Sequence, residues 1–105
     1  MKKYNIIVLD SAFIDLEEIH DFYKNNFSLN YASKITKHLL TETFSLTIFP
    51  FANPVYYITS DYIIRKKIVN KRFLIIFTII QNSVLVYNII DGRRNIAPLD
   101  LFKTN

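Results

Sequence analysis

YIIRKKIVNKRFLIIFTIIQNSVLVYNIIDGRRN, residues 62–95, decides the fold. It divides into three apolar runs, Tyr62–Val69, Arg72–Ile80 and Val84–Ile90, separated by Asn70-Lys71 and by Gln81-Asn82-Ser83. Dense β-branched and aromatic residues, broken at short intervals by turn formers, predict an antiparallel meander. The third run breaks at Asp91-Gly92, which delivers Arg93 and Arg94 to the end of the sheet.

Charge in this stretch is one-sided. Arg65, Lys66, Lys67, Lys71, Arg72, Arg93 and Arg94 stand against one acid, Asp91. Side chains two apart on a strand share a face, so Arg65 and Lys67 are expected on the same side of the sheet. Together with Arg93 and Arg94 they would make a positive surface suited to phosphate. Any one of them taken alone reads better as a solvated charge guarding a sheet edge. The cluster as a whole favours a polyanion.

The rest of the chain bounds what such a surface can serve. With 105 residues, half of them hydrophobic, the chain is expected to be one domain with a modest core. Its net charge of +4 permits a nucleic-acid partner without requiring one. The absence of cysteine excludes disulfides, thiolate zinc sites and a cysteine nucleophile, and fits a reducing cytosol. The apolar run Ile6–Leu9 stops at Asp10, too short for a secretory leader. Phe73–Ile80 falls far below the roughly 18 residues that span a bilayer. A soluble, cytoplasmic protein without membrane contact is expected.

Upstream of the meander, Tyr4–Leu9 reads as a strand, and Asp10 or Ser11 as the cap of a helix. Ala12, Leu16, Ile19 and Tyr23 fall at helical spacing and predict its buried stripe. Asp15, Glu17, Glu18 and Asp21 are expected on the solvated side; nothing isolates Asp15 and Glu18 from water as an acid–base pair requires. A second helix over Asn30–Ile48 follows, with Ala32, Ile35, Leu39 and Leu46 inward and Lys34, Lys37 and His38 outward. Short connections make the two an antiparallel hairpin. Neither histidine has a partner at a metal-ligand spacing, so no metal or other cofactor is expected. Phe49-Pro50 ends the second helix. Phe49–Asp61 reads as a loop in which Tyr56 and Tyr57 could stack on bases, though pinning the chain to the body is the favoured role.

The order is β-α-α-β-β-β, an α+β domain with the helical hairpin packed on a four-stranded antiparallel sheet. Two helices cover one face of such a sheet, yet the middle strand is apolar on both: Phe73, Ile75, Phe77 and Ile79 on one, Leu74, Ile76 and Ile80 on the other. A half-exposed strand should alternate apolar with polar. The second face therefore needs cover from the tail, a second copy or another protein. A protein partner contacting Leu74 and Ile76 is the expectation.

These features together resemble a known family. The order of elements, Ala12-x-x-Asp15-Leu16-x-x-Ile19-x-x-x-Tyr23, Phe49-Pro50, Arg65, Phe73-Leu74-Ile75-Ile76-Phe77 and Gly92-Arg93-Arg94 look like the RelE/ParE superfamily of type II toxin–antitoxin toxins, over roughly Tyr4 to Pro98. The resemblance implies a small cytosolic toxin that arrests growth, a role in plasmid stabilisation, and a cognate antitoxin whose C-terminal segment wraps the sheet and helices. Members divide into ribosome-dependent mRNA endoribonucleases and inhibitors of DNA gyrase. Cleavage through a 2′-hydroxyl needs a base, an acid and positive charge at the phosphate. Position by position, Arg65 and Lys67 match the nuclease's basic pair, and Arg94 its arginine beyond the last strand.

Two positions depart from the nuclease pattern. Leu74 stands where an arginine is expected, and no tyrosine lies near Asp100. Alternation assigns Tyr87 to the core with Leu85 and Ile89. The chain thus retains phosphate-binding charge, with Lys66, Lys71, Arg72 and Arg93 as further target contacts, but lacks an evident proton-transfer group. Gyrase inhibition is slightly favoured over mRNA cleavage, and a module that keeps only antitoxin binding is the third reading.

Overall fold

The computed structural model describes residues 1–93. Strand β1 (Asn5–Val8) leads into helix α1 (Asp10–Asn26) and helix α2 (Leu29–Phe44). Strands β2 (Val55–Ile58), β3 (Ile63–Val69), β4 (Phe73–Ile80) and β5 (Ser83–Asp91) follow. They form one five-stranded sheet in the order β1-β5-β4-β3-β2. The α+β class, the helical hairpin and the three-stranded meander are those expected from the sequence, but the sheet has five strands where four were expected. The meander is antiparallel, but β1 joins β5 in parallel, so the sheet is mixed. The helical hairpin carries the chain back across the sheet between these two parallel neighbours, as such a crossover must.

The fifth strand, β2, arises inside the stretch read as a loop. Val55-Tyr56-Tyr57-Ile58 has strong strand formers bounded by Pro54 and Thr59-Ser60-Asp61, and it pairs antiparallel with β3 across a register shift. Two prolines nearby masked that signal. Tyr56 does pin this segment, packing against the far face of the sheet.

Helix α1 buries Ala12, Leu16, Ile19 and Tyr23, the stripe predicted from spacing. Its N-cap position is Leu9, with no side-chain cap, and Asp10 sits in the first turn where its charge suits the helix dipole. Ser11 is not the cap; its hydroxyl donates to the Tyr87 carbonyl. In α2 the Ser28 hydroxyl accepts the Tyr31 N–H at 3.0 Å, a standard N-cap. The helix ends at Phe44 and tightens to a 3-10 turn over Ser45–Thr47, short of the predicted Ile48. Near this end the Thr41, Thr43 and Ser45 hydroxyls donate to carbonyls three or four residues back. Phe49 then takes a left-handed conformation, φ 54° and ψ 46°, turning the chain into Pro50.

Strand β4 is buried on both faces. Phe73, Ile75 and Phe77 meet the helices, with Val84, Val86 and Ile89 of β5 beside them. Ile76 lies on the other face with Ile64 and Ile90, flanked by Leu74, Tyr56 and Tyr87. A β-bulge shapes β5: Asn88 opposes Ile76 and Val86 opposes Phe77, leaving Tyr87 as the extra residue. The bulge resets the alternation. Tyr87 therefore belongs to the far face with Ile90, while Ile89 faces the helices, against the sequence expectation that grouped Tyr87 with Ile89.

Asp15 is not a solvated charge either. Its carboxylate accepts the Ile89 N–H at 2.8 Å and the Asn88 Nδ2 at 3.0 Å, tying α1 to the bulged strand. Burial pushes its carboxyl above the ordinary range, against the opposing pull of those two hydrogen bonds. Asp15→Ala strands a partly buried amide. It should cost about 1–3 kcal/mol in urea denaturation, whereas Glu17→Ala on the exposed side should stay within about 0.5 kcal/mol.

Candidate functional site

The cations of the meander separate into three places. On β3, Arg65 and Lys67 do share a face, as alternation requires, and that face meets the α2 side of the domain. Helix α2 and the chain after it run back along β3. Lys67 lies opposite the end of α2, where its ammonium donates to the Ser45 hydroxyl at 2.6 Å and pairs with the Glu42 carboxylate at 3.1 Å. Arg65 lies opposite the 3-10 turn Pro50–Ala52. It donates to the Asn53 carbonyl at 2.7 Å and its guanidinium sits 5.3 Å from the Phe51 ring centre. Both side chains hold the α2–β2 connection to the sheet. Lys66 points to the opposite face, its ammonium 5.2 Å from the Tyr56 ring centre.

The third place is the end of the sheet, where the β3–β4 turn meets the end of β5. Asn70 and Lys71 both have positive φ, 54° and 57°, and Arg72 N–H returns to the Val69 carbonyl at 3.1 Å. That tight turn, with left-handed backbone at both central positions, sets Arg72 against the helices. Its guanidinium lies 5.1 Å from the Tyr23 ring centre and 4.4 Å from that of Phe73. Tyr23 is buried and its hydroxyl donates to the buried Asp91 carboxylate. Burial, with the Asp91 carboxylate next, pushes the Tyr23 hydroxyl above its ordinary pKa. The other Asp91 oxygen accepts the Arg93 N–H at 3.0 Å.

Gly92 closes this arrangement. Its N–H donates to the Arg72 carbonyl at 2.7 Å, and a Cβ at this position would stand 2.8 Å from that same oxygen. The glycine is thus required by close approach of two backbones. Arg93 is exposed beyond it. Arg94, assigned to phosphate contact from the sequence, lies outside the described residues, as does the tail.

The remaining sequence-predicted contacts are hydrophobic. Ile76 is fully buried and Leu74 half-buried in the far-face cluster, beside Ile68, which is 52% exposed. A second apolar surface went unnoticed in the sequence: a groove of about 440 Å³ between α1 and α2, lined by Phe13, Leu16, Thr36 and Leu40. Phe13 and Ile14 stand outside the buried stripe of α1 and were the available signal. Among the described residues, no three His, Cys, Asp or Glu side chains gather as metal ligands would, and no helix is long and apolar enough to cross a membrane.

The fold has a solved counterpart. A chain of the structure "Chromosomal ParDE TA system from P. aeruginosa" superposes with a TM-score of 0.74, covering 85% of this chain and 96% of that one at 14% identity. This protein therefore has the ParE-like fold. No family model and no curated protein matches the sequence.

Two outcomes follow from the geometry. Tyr23→Phe removes a buried donor from Asp91 and should destabilise by about 1–3 kcal/mol in chemical denaturation. Gly92→Ala should cost about the same through overpacking, with backbone amide shifts at both Arg72 and Gly92 in NMR spectra.

Proposed function

We propose that this protein is the toxin of a type II toxin–antitoxin pair of RelE/ParE type, a growth-arresting cytoplasmic protein neutralised by direct binding of a cognate antitoxin. The carrying observation is the ParE-like fold over most of the chain, shared with a structure described as a toxin–antitoxin system. The apolar far face supports a protein partner: Ile68 and Leu74 offer contact surface above the buried Ile76. The antitoxin covers this face in our reading.

The action we favour is inhibition of DNA gyrase. RNA cleavage would need Arg65 and Lys67 at a phosphate, beside Arg94. In this chain Lys67 is neutralised by Glu42, and Arg65 is engaged by the Asn53 carbonyl and the Phe51 ring. A carboxylate 3.1 Å from Lys67 weakens its attraction for a second anion. Those contacts support a structural role for the pair; the target surface in our reading is the exposed Lys71 and Arg93, beside the ring-packed Arg72, with Lys66 on the other side.

Induction without antitoxin, followed within minutes by mapping of new mRNA 5′ ends and by supercoiling assays on purified gyrase, tests the reading. Growth arrest, lost supercoiling and no new ends are expected. Ends in phase with codons would replace it with ribosome-dependent cleavage, and absence of arrest would leave a module that only binds antitoxin. The triple variant Arg65→Lys, Lys67→Met, Arg94→Ala, verified as folded by circular dichroism, should retain toxicity; a nuclease would lose it.

A further inference from the structure

The outer face of the helical hairpin carries its own complement. On α1 the exposed charges turned away from the sheet include the acids Glu17 and Asp21, with exposed Phe13 and Ile14 nearer the start of the helix. On α2 they are the cations Lys34 and Lys37, with exposed Phe44 at the helix end. The one acid of α2, Glu42, is turned to Lys67 of β3. Among the described residues no ion pair joins α1 to α2, so the acidic and basic rows run side by side without meeting. Between them lies the groove of about 440 Å³ lined by Phe13, Leu16 and Leu40, which an antitoxin on the far face of the sheet leaves open.

The antiparallel hairpin fixes which residues share a level. Tyr23 meets Tyr31 edge-on with ring centres 5.7 Å apart, and Phe13 and Leu40 line the groove together. Counting along the helices from those contacts puts Glu17 level with Lys37, and Asp21 level with Ser33 and Lys34. The face thus has an apolar end, formed by Phe13, Ile14, Leu40 and Phe44, and a charged end with acid on α1 and base on α2. A two-fold axis running along the groove sets α1 of one copy antiparallel over α2 of the other and keeps every level. Glu17 then meets Lys37 of the second copy and Asp21 meets its Lys34, each pair made twice, while the apolar ends close on each other. The alternative two-fold, across the helices, sets α1 on α1 and reverses the levels. It brings the acids against one another and carries Phe13 towards the polar tip of the hairpin. The order of the face is therefore matched by a second copy in one orientation. Exposed ion pairs contribute little affinity, so the apolar end supplies the attachment and the charges set the orientation.

We propose that this protein self-associates through the outer face of α1 and α2, forming a two-fold dimer held by an antiparallel four-helix bundle. Phe13, Ile14, Leu40 and Phe44 anchor the bundle, and pairing of Glu17 with Lys37 and of Asp21 with Lys34 between copies fixes its register. The dimer rests on the pattern of this face and is independent of the toxin reading.

Sedimentation velocity on purified full-length protein, from micromolar to millimolar concentration, provides the test. Wild type should shift from monomer to dimer as concentration rises. Phe13→Ser, at an exposed position, should weaken the dimer at least about tenfold, the loss expected for an aromatic anchor. Glu17→Lys and Lys37→Glu should each weaken it when alone, because each puts like charges across the interface. Mixed in equal amounts, these two variants regain opposite charges at both Glu17–Lys37 pairs and should form a heterodimer as tight as the wild-type dimer. Mixing does not cure a folding defect, so this recovery reports the interface alone. A wild type that stays monomeric throughout overturns the proposal and leaves the face to a different protein. So does a dimer that survives Phe13→Ser unchanged, or a mixture of the charge variants that associates no better than either one.

Discussion

Burial of β4 on both faces is the constraint from which the other placements follow. Phe73, Ile75 and Phe77 need the helical hairpin above them, and Ile76 needs Ile64, Ile90 and their aromatic neighbours below. A strand in that position must be central, so β3 and β5 flank it and β1 and β2 take the edges. Fully burying one such side chain contributes about 1.5–3 kcal/mol. No local preference of the edge strands competes with several of them acting together. The bulge in β5 follows from the same demand, because it lets Val84, Val86 and Ile89 all face the helices along one strand.

Polar groups secure the places where this apolar frame would otherwise be loose. Asp15 satisfies donors at the bulge, and Arg65 and Lys67 fasten the chain leaving α2 onto β3. At the end of the sheet, Tyr23, Arg72, Asp91 and Gly92 join the first helix to the last strand through one buried hydrogen bond and one close backbone contact. These are long-range pairings; Tyr23 and Asp91 are 68 residues apart in the chain. Charge that looks like a binding surface in the sequence is thus partly structural. The other cations gather at the turn end of the sheet, where the buried Asp91 carboxylate lies next to Arg72.

The legible parts were those governed by spacing along the chain. The buried stripe of α1 and the two-sided burial of β4 appeared at their predicted positions, as did the first strand, the helical hairpin and the meander. Each depends on the period of a helix or a strand, which is a local property. The misread parts each involved a distant partner. Ile89 parted from Tyr87 and faced the helices because a bulge altered the count of residues. Asp15 left the solvent because β5 presented it with an amide. The strand Val55–Ile58 formed because β3 offered an edge, despite the prolines around it.

The sequence by itself therefore determined the fold class, the meander, and the inward faces of the helix and the central strand, whereas the cover it expected Ile76 to need from outside is supplied by Ile64, Ile90 and their neighbours in this chain. Only the tertiary structure decided which charges are occupied and which are available. Helical and strand periods are written in consecutive residues, so they can be read there. Whether Lys67 meets Glu42 or a phosphate depends on how α2 lies along β3, and no interval within β3 records that. The same holds for Gly92: its identity is plain in the chain, but the carbonyl of Arg72 that excludes any larger residue is brought to it by folding.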